Sequence, residues 1–247
     1  METTAAAAAL PEPRLVRAGR GADWIGEAFA LFRQQPGVWI GILVIWLVLS
    51  SVIAAVPALS VLGSFLNPVF SAGIMLGCAS QARGEGLRVE HLFAGFRSGR
   101  VGPLLMMTVW TLLLAAAGLV ALVAVVGWPV FDALEGLHDP SPEELLGALG
   151  LGRLLWFAFA ALTLAALLAM AVWFAPALIV FRGVSALDAL KLSFRGCVRN
   201  WRALAVYGLL VLVMLILAAL PLLLGLLIAV PVLMASIYTS YQDLYPA

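Results

Sequence analysis

Charge is what this sequence has least of. Of its 247 residues only 11% are Asp, Glu, Lys or Arg, against roughly a quarter in water-soluble globular domains. The deficit is also uneven: no charged residue occurs in 34–82, 101–131, 154–181 or 203–242. A helix that crosses the hydrocarbon core of a bilayer needs about 20 mostly apolar residues, so these blocks hold two, one, one and two spans. The expected fold is therefore all-α, a polytopic membrane protein with six transmembrane helices at about 37–57, 59–81, 103–128, 154–181, 203–220 and 222–241. Four long spans with buried re-entrant stretches is the main competing reading.

Other absences narrow the function. Two cysteines, Cys78 and Cys197, do not make a disulfide framework. A net charge of +1 leaves no electrostatic footprint for nucleic acid. No Asp, Glu, Lys, Arg or His falls inside any expected span. Such residues mark proton relays, ion paths and gating charges, so a proton-coupled transporter, an aspartyl intramembrane protease and a voltage sensor are all disfavoured. The chain lacks H-E-x-x-H, G-x-S-x-G and G-x-x-x-x-G-K-[ST]. Its two histidines, His91 and His138, are expected on opposite sides of the membrane, which excludes a shared metal site and an ordinary His-based triad. No catalytic, cofactor-binding or metal-ligating residue is assigned, no cofactor is expected, and the reading is a non-enzyme.

What charge there is falls into two sets. The N-terminal region to Arg33, the 83–100 loop and the 182–202 loop carry every basic residue except Arg153. The other set comprises the turn near Pro57, an acidic loop over 132–153 and the turn near Pro221. Basic residues concentrate on the cytoplasmic side, so both termini are expected in the cytoplasm and the acidic loop in the periplasm. Residues 1–21, with an Ala run, prolines and arginines, read as a disordered cytoplasmic tail, and 22–247 as a single helical transmembrane domain.

Each basic segment holds a short amphipathic stretch that ends in Phe-Arg. Trp24, Ile25, Ala28, Phe29 and Phe32 share one helical face; Val89, Leu92, Phe93 and Phe96 follow at i, i+3, i+4 and i+7; Leu187, Leu190 and Phe194 form the third face, with Ser185 and Asp188 spaced as a cap. The pairs are Phe32-Arg33, Phe96-Arg97 and Phe194-Arg195. Prolines follow at comparable distances: Pro57 and Pro68, Pro129 and Pro176, Pro221 and Pro231. The result is a three-unit internal repeat, a hairpin of outward and return spans introduced each time by an interfacial helix whose arginine reaches toward lipid phosphates.

Within the membrane, Gly37 and Gly41 face Gly73 and Gly77 at similar depth, which would let the first two spans close on each other. Trp128 and Trp156 at one set of ends, and Trp39, Trp201, Tyr238 and Tyr241 at the other, suit the two aromatic belts. Asn67-Pro68 lies inside the second expected span, where proline frees a carbonyl and Asn can bond it or a neighbouring helix; Asn67 is the candidate intramembrane polar site. Asp132, Glu135, His138 and Asp139 stand at near-helical spacing in the acidic loop and read as a solvated face. Ser141-Pro142-Glu143-Glu144 reads as a helix start. Arg33, Arg97, Arg195, Arg199 and Arg202 are the candidate contacts for anionic lipid or a partner.

The stretch WFAPALIVFRGVSALDALKLSFRGCVRNW, residues 173–201, with WIGEAFALFRQQPGVW at 24–39, resembles an uncharacterised family of proteobacterial six-helix inner-membrane proteins. The membrane part is distantly similar to the membrane domain of glycerophosphodiester phosphodiesterases. This chain has no soluble catalytic domain and no paired histidines or carboxylates to receive that metal chemistry, so the resemblance implies architecture and a bacterial inner-membrane location without an activity. The expected function is a non-enzymatic, lipid- or partner-interacting membrane protein, acting with membrane lipids and a protein partner or a second copy of itself. A transporter or channel for an uncharged or amphipathic solute, using Asn67, Thr108, Thr111 and Thr163, is the alternative.

Overall fold

The computed structural model describes residues 12–124 and 142–246, with backbone alone described for 57–61, 142–149 and 153–154. Secondary structure in these residues is helical, in the order α1 (Arg20–Gln34), α2 (Pro36–Ala55), α3 (Pro57–Ala82), a 3-10 turn (Val89–Phe93) that runs into α4 (Ala94–Arg97), α5 (Val101–Leu122), α6 (Pro142–Val172), α7 (Ala175–Arg182), α8 (Ala186–Arg199), α9 (Trp201–Ala219) and α10 (Leu226–Leu244). Most of the acidic loop, with Asp132, Glu135, His138, Asp139 and Ser141, lies outside the described residues, as do Trp128 and the tail up to residue 11.

Prolines and glycines punctuate the chain where the sequence pattern changes. Pro36 and Pro57 open α2 and α3, positions where the missing N–H has no intrahelical partner in any case. Gly183 ends α7 at φ 65, and Ser185 then caps α8 by accepting from the Asp188 N–H at 3.2 Å. The turn between α9 and α10 has no glycine at its sharpest point, so Leu222 and Leu223 take positive φ, 52 and 66.

Among the described residues five helical stretches are long and apolar enough to cross a membrane: Pro36–Ala55, Leu62–Ala82, Val101–Leu122, Gly150–Arg182 and Trp201–Ala219. The last helix, α10, has 19 residues but is less apolar, because its second half carries Ser236, Thr239, Ser240 and Gln242. Large apolar side chains such as Val52, Leu113, Val120, Leu162, Leu209 and Leu217 are exposed. In water that surface would aggregate; against lipid tails it is the expected exterior.

The chain divides into two compact units, residues 109–170 and the remainder. In the smaller unit α5 and α6 cross at Gly118, where a Cβ would come 2.5 Å from Leu164 Cδ1. Trp156 and Phe159 stack there at 5.7 Å, and the helix bends at Gly150, whose φ is 62. In the larger unit α1 lies on α9 and α10, α3 on α2, α4, α7 and α10, and α8 on α7.

Three expectations change. Residues 12–21 are not a disordered tail: the Arg14 N–H donates to the Leu244 carbonyl at 2.7 Å, the Val16 N–H to Asn200 Oδ1 at 2.8 Å, and Asn200 Nδ2 to the Arg14 carbonyl at 2.9 Å. A buried amide can satisfy an extended strand of backbone in this way, and the pattern leaves no trace in hydropathy. The 89–96 stretch is a 3-10 turn and a four-residue helix, with Leu92 buried and Phe93 and Phe96 half-exposed on the edge of Phe70. Finally, the glycine pairs do not close α2 on α3. A Cβ at Gly73 would come 2.5 Å from the His91 carbonyl and 2.6 Å from that of Leu92, and one at Gly77 2.7 Å from Leu87 Cδ1; one at Gly37 would meet nothing within 4 Å. These glycines of α3 make room for the 87–93 backbone, and Gly95 in turn lies against the Val69 carbonyl of α3.

Gly73→Ala is therefore expected to lower the thermal unfolding midpoint in detergent by the equivalent of about 1–3 kcal/mol. Gly37→Ala should be neutral or slightly stabilising, since it only restores helix propensity.

Candidate functional site

One end of the larger unit gathers the polar chemistry. Here α1, the 87–97 segment and α8 meet the ends of α3, α7 and α10. Asp243, near the end of α10, takes the Arg20 Nε–H at 2.6 Å and the Trp24 indole N–H at 2.9 Å. Arg20 also pairs with Glu27 at 3.0 Å and Asp23 at 3.3 Å. The Asp243 hydrogen bond leads in holding the Arg20 guanidinium above its ordinary range. One helical turn earlier the Thr239 hydroxyl donates to the Trp24 carbonyl at 3.0 Å, and the Trp24 ring meets Tyr207 of α9 at 6.1 Å.

Gln81 does comparable work at the end of α3. It donates to the Leu31 carbonyl at 2.8 Å and accepts from the Trp39 indole at 3.2 Å. Gln35 accepts from the Leu87 N–H at 2.5 Å. Arg83 and Glu85 follow as an exposed, doubly bonded pair with both contacts at 2.9 Å. Arg83 and, second to it, Ser80 hold the Glu85 carboxyl down to about 2. His91 accepts from the Arg88 N–H through Nδ1 at 3.0 Å at the start of the 3-10 turn, and burial lowers its pKa, in the direction that favours this acceptor role.

The five candidate arginines are all exposed at this end, but they do not form one site. Arg33 lies over the Phe29 ring at 5.4 Å and Arg202 over Trp201 at 5.5 Å. Arg195 and Arg199 share a groove with Phe194, Leu192 and Pro13, and Arg199 is 3.9 Å from Glu12. Arg97 is exposed at the end of α4 and lines neither that groove nor the cleft described next.

A cleft of about 660 Å³ lies between the ends of α3, α7 and α10, lined by Ala79, Ala82, Arg83, Phe181, Arg182, Tyr238, Tyr241, Gln242 and Tyr245. Its aromatic floor is continuous: Phe181 stacks on Tyr241 at 5.4 Å, and Tyr241 on Tyr245 at 5.6 Å. The Tyr245 hydroxyl donates to the Leu192 carbonyl at 2.7 Å, and Arg182 donates to the carbonyls of Tyr245 and Pro246. Sequence reasoning treated Arg83 and Arg182 as topology-setting charges and Tyr238 and Tyr241 as belt residues. The available signal was the spacing of Tyr238, Tyr241 and Tyr245, which sets three phenols on one helical side.

Asn67 is exposed and lines a hollow of about 190 Å³ with Ser50 and Ser64 between α2 and α3. It does not cap the carbonyl that Pro68 frees. That carbonyl belongs to Ser64, four residues earlier, and it accepts from the Thr108 hydroxyl of α5 at 3.3 Å. Thr108 thus has a structural partner.

Over 206 residues the chain is 30% identical to a protein of Burkholderia thailandensis described as a probable inner membrane protein, a match that spans 79% of this chain and 73% of that one. No family model matches the chain, and no solved structure is significantly similar to it.

Asp243→Ala removes the partners of a buried indole N–H and of Arg20 together, so a loss of about 2–3 kcal/mol is expected in thermal or chemical unfolding. Asp243→Asn, which keeps an acceptor for Trp24, should recover a measurable part of it.

Proposed function

The chain belongs to the family of that bacterial inner membrane protein, and from this premise we propose a non-enzymatic protein that organises anionic lipid at the cytoplasmic face of the inner membrane. The observation that carries the reading is the placement of charge. In the larger unit no Asp, Glu, Lys, Arg or His falls in 34–82 or 203–242, while Arg33, Arg97, Arg195, Arg199 and Arg202 stand exposed around the end where α1, α4 and α8 lie. Arginines at that depth reach lipid phosphates while their stems cover apolar surface. Trp201 beneath Arg202 and Phe29 beneath Arg33 give two of them the aromatic support common at headgroup level.

The topology we propose with it has six spans in three pairs, α10 being the sixth, with both termini cytoplasmic. The low hydropathy of α10 follows from what it faces: Ser236 and Thr239 are buried against α9 and α1, and Tyr238 and Tyr241 against Phe181 of α7, not lipid. From the phosphodiesterase membrane domains we carry over this architecture alone.

Two measurements check the reading. After mild detergent extraction the protein should retain phosphatidylglycerol or cardiolipin above their bulk fraction; a clean monomer with no enriched lipid and no partner overturns the proposal. A reporter fused after Tyr245 should be active only in the cytoplasm, and periplasmic activity would refute the orientation.

A second reading, a passage for an uncharged solute, is favoured by the hollow beside Asn67, Ser50 and Ser64. Its volume of about 190 Å³ is below the range of ordinary small-molecule sites, roughly 300–1,000 Å³, which places it second.

A further inference from the structure

We propose that the cleft between the ends of α3, α7 and α10 is a specific binding site for the phosphate ester of an anionic phospholipid head group. The inference rests on the lipid-organising reading above and assigns it a site distinct from the exposed arginines named there. Four observations converge on it. The cleft, about 660 Å³, has the volume of a small-molecule site. Two cations, Arg83 just past α3 and Arg182 at the end of α7, line it, and among the described residues no carboxylate does; the nearby Glu85 bonds one edge of Arg83. Tyr241 also lines it. That residue is only 4% exposed, and its hydroxyl, beside the Arg182 guanidinium, finds no acceptor for its proton among the described residues. A buried phenol O–H without an acceptor is costly and is relieved by one entering the cleft. Finally, Ala79, Ala82 and Phe181 supply an apolar wall where the apolar stretches of these helices end, which is the depth of head groups and the first acyl carbons.

The sign of the ligand needs weighing, because three helix C-termini meet here and their carbonyls carry partial negative charge. By themselves they favour a cation. The Arg182 charge, which no carboxylate opposes among the described lining residues, outweighs those fractional ones, Arg83 adds the edge that Glu85 leaves open, and Arg182 already satisfies the Tyr245 and Pro246 carbonyls. Both of those bonds use one nitrogen, Nη2, and the guanidinium also faces the Tyr241 hydroxyl, so further N–H groups remain for a phosphate oxygen, a geometry that arginine suits. The phenol of Tyr241 supplies a third donor.

The experiment uses the full chain in nanodiscs and in detergent, with native mass spectrometry and thermal melting after addition of phosphatidylglycerol, phosphatidylcholine, or soluble glycerol phosphate. Phosphatidylglycerol should bind and stabilise, and phosphatidylcholine should not. Soluble glycerol phosphate should need far higher concentration than the lipid; displacement at equal concentration overturns the lipid assignment in favour of a soluble ester. Arg83→Gln should weaken phosphatidylglycerol binding about tenfold and Tyr241→Phe a few-fold, without loss of fold. Ala82→Trp, at an exposed position, should block the cleft and leave the bundle intact. If the wild type retains phosphatidylglycerol and both Tyr241→Phe and Ala82→Trp retain it equally, the cleft is refuted while the broader lipid reading stands. If Arg195→Gln with Arg199→Gln abolishes retention and the cleft variants do not, the lipid sits on the exposed arginines and the site proposed here is wrong.

Discussion

Trp24 and Asp243 are 219 residues apart in sequence and 2.9 Å apart in the structure. That hydrogen bond fastens the first helix to the last. Around it the carbonyl of Trp24 takes the Thr239 hydroxyl, Arg20 closes on the same carboxylate, and Gly21 lets the α9 backbone approach without a side chain between. The indole is fully buried, so its N–H must find an acceptor inside the protein or lose about 1–3 kcal/mol. Once α1 is held there, Leu31 presents its carbonyl to Gln81, and Gln81 meets Trp39 of α2. The ends of α2, α3 and α10 are thus located relative to one another through polar side chains. Apolar helices in lipid gain little from hydrophobic burial against each other, and directional bonds of this kind supply the register.

The large features were legible in the sequence because they depend on composition. Charge-free blocks mark apolar helices, and the described bounds of α2, α3 and α9 fall within two residues of the expected spans. The amphipathic faces at 24–32 and 187–194 are helices in the structure, but they were read as apolar surface for the membrane. Trp24, Ala28, Phe32 and Leu190 are instead buried in protein. Periodicity reveals which side of a helix is apolar and is silent about whether lipid or another helix covers it. The glycine pairs were misread for the same reason: spacing shows a small-residue face, and the partner proved to be the 87–93 backbone. The cleft was hidden because its residues come from three distant segments and each, alone, suits an aromatic belt or a positive-inside loop.

In the larger unit 34–82 and 203–242 hold no Asp, Glu, Lys, Arg or His, and most of the described polar side-chain bonds of that unit gather at one end. That asymmetry explains why the candidate arginines and the cleft lie at that end, while Asn67 lies within α3. It also reassigns Thr108: a hydroxyl that would suggest a solute path is occupied with the carbonyl that Pro68 leaves free. Polar residues inside a membrane bundle serve first to repair the backbone, and only what remains unpaired is available for recognition.

The joining of α1 to α10 also bears on how the protein is made. A ribosome produces Trp24 long before it produces Asp243, so while the intervening helices are inserted one after another the apolar face of α1 has no partner. During that interval it has to shelter somewhere, and a membrane surface accepts an amphipathic helix with a tryptophan on its face. The side chains that form the core of the finished bundle are thus uncovered until the end of α10 is made, and closure of α1 onto its partner waits on the turn that carries Asp243.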